Sequence, residues 1–76
     1  MIDSRNNDLV VRGVVTEALP STLFRVEIDD KSEEGKVILA YLSGKMRLHR
    51  IKVLIGDTVE VLLDPYGGKG RIIKRL

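Results

Sequence analysis

The chain has no cysteine and no tryptophan, one histidine, two prolines, and only Phe24, Tyr41 and Tyr66 as aromatics. Without cysteine, no disulfide can brace it and no thiolate can hold a metal, which fits a reducing compartment. A single histidine excludes a histidine metal cluster and, with no cysteine, a Cys–His catalytic pair. His49 lies among basic residues, where it reads as a surface donor rather than a general base. No apolar run approaches the roughly 20 residues of a membrane span. The opening stretch MIDSRNNDLV lacks a signal peptide's basic start and apolar centre. These absences lead us to expect a soluble, monomeric, non-catalytic protein of the cytoplasm or a plastid stroma, with no cofactor and no membrane partner.

What is present is charge, unevenly spread. At 76 residues the net charge is only +2. Residues 1–34 carry four cations against eight anions, whereas residues 35–76 carry nine cations against three anions. A cationic face would draw in a polyanion by long-range attraction, while acidic groups elsewhere limit indiscriminate adhesion. A chain this short buries only about 60% of the surface its unfolded form exposes, so one economical core is expected. The sequence reads as a single domain over residues 1–76, with 1–7 as a disordered tail and no internal repeat.

Short β-branched runs separated by turn residues dominate the chain, the signature of an all-β protein. A first strand is expected over Leu9–Ala18, interrupted at Gly13 by a bulge or sharp bend. A second covers Leu23–Asp29, with Phe24, Val26 and Ile28 alternating against Arg25 and Glu27. The polar hairpin Asp29–Lys36 precedes a third strand, Lys36–Leu42. If its Ile38, Ala40 and Leu42 face inward, Val37, Leu39 and Tyr41 form an outward apolar face that is covered or used. A fourth strand over Thr58–Asp64 would place Val59, Val61 and Leu63 in the core, and Arg71–Leu76 makes a fifth. Five strands, a bent first strand and a longer connection between the third and fourth describe a five-stranded Greek-key barrel of the OB type, with a short helical turn or loop in that connection. An SH3-like barrel is the alternative.

That connection, SGKMRLHRIKVLIGD, threads Lys45, Arg47, Arg50 and Lys52 among Met46, Leu48, Ile51 and Val53. Ser43 can cap a helical turn there, although Gly44 is a poor helix former. Leu48 is expected to plug one end of the barrel, and Met46 to be presented outward against a nucleobase. Lys69, Arg71 and Arg75 cluster around the fifth strand, where strand periodicity would align Arg71, Ile73 and Arg75 on one side. Arginine's planar fork can take two phosphate oxygens or stack on a base. Tyr66, at the turn before these cations, could stack a base or cover the barrel mouth. GGKG, residues 67–70, lacks the spacing of a nucleotide-binding loop and reads as a hairpin turn. Nucleic-acid binding is the chemistry this pattern supports best.

Three blocks resemble one family. GVVTEALPSTLFRVEI resembles the pattern G-x-V-x-E-x-L-P-N-x-x-F-R-V-E-L, SGKMR with IKVLIGDTVEV resembles S-G-K-[ML]-R and I-R-[IV]-L-x-G-D-x-V, and PYGGKGRIIKR resembles P-Y-D-L-x-K-G-R-I-x-x-R. These patterns, in this order over residues 13–75, are similar to those of bacterial-type translation initiation factor one, an OB-fold family. The resemblance implies binding at the aminoacyl-tRNA site of the small ribosomal subunit. It also implies contact with ribosomal RNA and a neighbouring ribosomal protein, a block on premature tRNA entry, and support of the other two initiation factors. On it, Lys45, Met46 and Arg47 match the loop that reaches into RNA, and Ser43 and Gly44 shape that loop. Arg25, Tyr66, Lys69, Arg71 and Arg75 match positions on or beside the RNA-facing surface. The chain differs from the pattern at Leu48-His49-Arg50, in a final turn one residue shorter, and in a longer Asp29–Lys36 hairpin. A general cold-shock-like RNA chaperone is an alternative, against which the scarcity of aromatics counts. A protein-interaction module using the Val37, Leu39 and Tyr41 face is another.

Overall fold

Alternation of apolar and polar residues commits most of the chain to half-buried strands, and the strands close on one another. The computed structural model describes residues 9–29 and 35–76. The expected tail 1–7 and most of the expected 29–36 hairpin lie outside the described residues. Five strands form a closed barrel: β1 (Val10–Leu19), β2 (Leu23–Ile28), β3 (Val37–Leu42), β4 (Thr58–Leu62) and β5 (Gly70–Arg75), in the order β1-β2-β3-β5-β4. β4 returns to pair with β1, and β3 pairs with β5 in parallel; the other neighbours are antiparallel. A short helix, α1 (Gly44–Leu48), fills part of the β3–β4 connection. This is the OB-type barrel expected from the sequence, with helix and long connection where that fold places them. Closure leaves no strand of the barrel as a free edge, which protects a small sheet from edge-to-edge association.

The core is aliphatic with one aromatic. Val11 and Val15 of β1, Phe24, Val26 and Ile28 of β2, Ala40 of β3, Val59 and Val61 of β4 and Ile72 of β5 are buried together with Met46 and Val53 from the connection. Ile38, Leu42 and Leu63 pack partly buried against them, so the inward sets expected for the second, third and fourth strands hold.

The irregularity expected at Gly13 takes a different form. Gly13 is in register with Ile28 on one side and Val59 on the other. The register slips later, between Val15 and Glu17, leaving Thr16 as the extra residue. Gly13 instead permits a close approach of β1 and β2: a Cβ there would lie 2.5 Å from Val26 Cγ1 and 2.8 Å from the Glu27 carbonyl oxygen.

A second slip, between Glu60 and Val61 of β4, matters more for the surface. Val61 faces Ile72, but Glu60 faces Lys74 and Val59 faces Arg75, so Ile73 is the bulged residue of β5. Cross-strand partners share a sheet face. Lys74 therefore joins Arg71 on the outer face, because their partners Glu60 and Leu62 are two residues apart. Arg75 shifts to the other register. The expected row of Arg71, Ile73 and Arg75 is thus replaced by Arg71 with Lys74, because a bulge resets the two-residue period.

Candidate nucleic-acid interface

α1 is only one turn long and is held at both ends. Ser43 is buried, and its Oγ accepts the Met46 N–H at 3.2 Å, while its carbonyl accepts the Arg47 N–H. This N-cap satisfies a donor that the helix itself leaves open. The Ser43 N–H in turn donates to the Ile72 carbonyl at 3.0 Å, tying the helix entry to β5. Ser43 therefore shapes the loop from within and presents no free hydroxyl to a ligand. Gly44 is exposed and begins the helix.

The roles expected for Met46 and Leu48 are exchanged. Met46 is 1% exposed and belongs to the core, whereas Leu48 is 78% exposed. The cap at Ser43 and the docking on β5 orient the turn so that Met46 points inward. Lys45 and Arg47, one residue to either side, are then exposed. Methionine thus anchors the cations instead of being presented among them.

Beyond α1 the chain runs back to β4 through residues fastened to β5. Arg75 donates from Nη1 to the Lys52 carbonyl at 3.2 Å, and its Nε lies 3.6 Å from Asp57 Oδ2. Asp57 also accepts the Leu54 N–H at 2.8 Å, closing the turn before β4. A groove of about 400 Å³ lies beside this strut, with Met46, Ile51, Ile73 and Leu76 as apolar lining and Lys45, Lys74 and Arg75 as cations.

The other end of β5 carries the second group. Gly70 is in register with Ala40, and a Cβ there would lie 2.6 Å from Val61 Cγ1. Close packing at Gly70 puts the neighbouring Lys69 and Arg71 on the exposed side. The Arg71 guanidinium lies 5.8 Å from the centroid of the Tyr41 ring, and its Nε donates to the Tyr41 hydroxyl at 3.4 Å. Tyr41, Leu62, Leu63, Asp64, Pro65, Lys69 and Arg71 line a shallow cleft of about 280 Å³. Part of the outward apolar face of β3 is therefore used: Tyr41 seats Arg71, while Val37 is exposed. Tyr66, at 94% exposure, stands away from the barrel at the turn tip. Asp64 builds that turn by accepting the N–H groups of Tyr66 and Gly68, at 2.9 and 3.1 Å.

Arg25 lies on the same outer surface, since Arg25 is in register with Leu39, and Leu23 with Tyr41. Its Nε pairs with Glu17 Oε1 at 2.9 Å, both side chains about half exposed. Such an exposed pair contributes about 0–1 kcal/mol and is easily exchanged for another anion. Arg47 and Arg50 are exposed on and just after α1.

β5 is thus the organising element. Lys69 and Arg71 flank its start; Lys45, Lys74 and Arg75 gather around its end. At about 3.3 Å per residue the row spans about 20 Å. Sequence reasoning does not single out Tyr41, Lys74 or Asp64 as site residues. Tyr41 reads as apolar surface, and strand periodicity puts Lys74 on the wrong face until the bulge is known. Asp64 is legible in principle, as an aspartate opening a Pro- and Gly-containing turn. Among the described residues no helix is long and apolar enough to cross a membrane.

Known proteins resemble this chain in both sequence and fold. The solution structure of the translation initiation factor of this type from the Wolbachia endosymbiont strain TRS of Brugia malayi is 38% identical, with a TM-score of 0.68. The match covers 100% of this chain and 88% of that one. The crystal structure of YjeQ from Thermotoga maritima is also 38% identical, with a TM-score of 0.72 over 90% of this chain, but the chain spans only 23% of that protein. A family model described as translation initiation factor 1A / IF-1 matches residues 3–76. The chain belongs to the translation initiation factor 1A / IF-1 family.

Proposed function

We propose that this initiation factor acts without catalysis, by occupying the aminoacyl-tRNA site of the small ribosomal subunit. Cations along β5 and α1 would neutralise ribosomal RNA phosphates, and the exposed turn of the connection would exclude tRNA sterically. On this reading a neighbouring ribosomal protein and the other two initiation factors are its partners, and it works in the cytoplasm as a monomer. The observation that carries the proposal is the gathering of Lys45, Lys69, Arg71, Lys74 and Arg75 around one strand. A folded RNA presents phosphates in a fixed array, and a rigid row of cations can meet several at once.

The seating of Arg71 on Tyr41 adds to this. A guanidinium held over a ring keeps its fork oriented, so less freedom is lost when it takes a phosphate.

Cosedimentation with purified small subunits tests the proposal. The protein should pellet with them, and a tRNA occupying the aminoacyl site should displace it. Failure to bind, or binding indifferent to that tRNA, would contradict the assignment. Tighter binding to free single-stranded RNA than to the subunit would instead favour a general RNA chaperone.

A further inference from the structure

The chain leaves α1 through Arg50. Ile51 donates its N–H to the Met46 carbonyl at 3.0 Å, and Arg50 donates to the Arg47 carbonyl at 3.1 Å. These two bonds, spanning five and three residues, form the Schellman closure of a helix, whose exit residue adopts a left-handed conformation. Arg50 has φ of 56°. Glycine usually fills this place, because it has no Cβ to crowd the following carbonyl.

Here the place is filled by an exposed arginine whose side chain has no partner among the described residues. Its neighbours Arg47, His49 and Lys52 supply no anion either. Positive φ alone would prove little. Ser21 and Thr22 share it, at 64° and 56°, but they lie in the tight β1–β2 connection, where reversal of the chain demands it. At Arg50 the backbone demand would be met better by glycine, and the side chain returns nothing to the fold. A local rule broken with no structural compensation points to a ligand. The ligand chemistry is set by the group itself and by the cations around it, which together suit a phosphate.

We infer that Arg50 is a phosphate-contacting residue of the ribosomal RNA interface, standing where glycine would fold better. This rests on the function proposed above. It implies that stability and binding respond in opposite directions to one substitution.

The test compares wild type with Arg50→Gly, Arg50→Asn and Arg50→Lys, measuring thermal melts and small-subunit affinity at several salt concentrations. Arg50→Gly should raise Tm by about 2–6 °C. It should also weaken subunit binding threefold or more and flatten the slope of log affinity against log salt by about 0.7–0.9, the loss of one phosphate contact. Arg50→Asn, which tolerates the left-handed conformation without charge, should show the same binding loss. Arg50→Lys should keep the wild-type slope. A wild-type slope in Arg50→Gly and Arg50→Asn would overturn the inference, as would a fall in Tm for Arg50→Gly. Wild-type binding in the same assay would leave the proposed function standing in either case. Absence of wild-type binding would remove both.

Discussion

Replacing Met46 with alanine removes a side chain that is 1% exposed and belongs to the core shared with β1, β2, β4 and β5. Burial of this kind lost to alanine costs about 2–5 kcal/mol, part transfer and part cavity. A chain of 76 residues has a total stability of about 4–11 kcal/mol, at 0.05–0.15 kcal/mol per residue. The substitution should therefore remove a third or more of it and lower Tm by at least about 8 °C, at 4–8 °C per kcal/mol for a chain this size. Met46→Leu, which conserves volume, should cost under about 1.5 kcal/mol. Leu48→Ala, at a position 78% exposed, should fall within about 0.5 kcal/mol of wild type. Thermal and urea melts followed by circular dichroism measure all three. A Met46→Ala melt at the wild-type temperature, or a larger loss for Leu48→Ala, would refute the packing of α1 described above. Loss of RNA binding by Met46→Leu at unchanged stability would mean that the methionine touches the ligand.

Gly13→Ala should destabilise by about 1–3 kcal/mol, because the new methyl meets Val26 and the Glu27 backbone and the backbone cannot yield. Gly44→Ala is its control: nothing lies within 4 Å of a Cβ there, and the exchange should be neutral or stabilising by up to about 1 kcal/mol. Paired urea melts would show the contrast. Ser43→Ala should cost about 1 kcal/mol by removing the cap on Met46, and amide hydrogen exchange at Met46 should quicken.

Where the strands fall is legible wherever one face is apolar and the other polar. In β2 the alternation from Phe24 to Ile28 matches the buried positions residue for residue. β5 is harder. Ile72 and Ile73 are adjacent and equally apolar, so the letters do not say which faces inward, and only the pairing with Val61 decides. The position of Lys74, and with it the shape of the cationic row, follows from that long-range contact. α1 presents the same difficulty on a smaller scale. A five-residue helix has too few turns to display a period, so the choice between Met46 and Leu48 rests on chemistry alone, whereas docking against β5 settles it. The candidate site is therefore legible as a set of residue types in the right connections. Its arrangement depends on two irregularities, a bulge and a left-handed arginine, that local propensity does not announce.

The central claim is that surface cations on α1 and β5, presented by a barrel that does not need them to fold, hold the protein on ribosomal RNA. The most direct measurement is small-subunit cosedimentation of the double variant Lys45→Glu and Arg47→Glu beside its thermal melt. The account predicts that subunit binding disappears while Tm stays within about 3 °C of wild type, since both side chains are exposed. Wild-type binding by a folded double variant would contradict it.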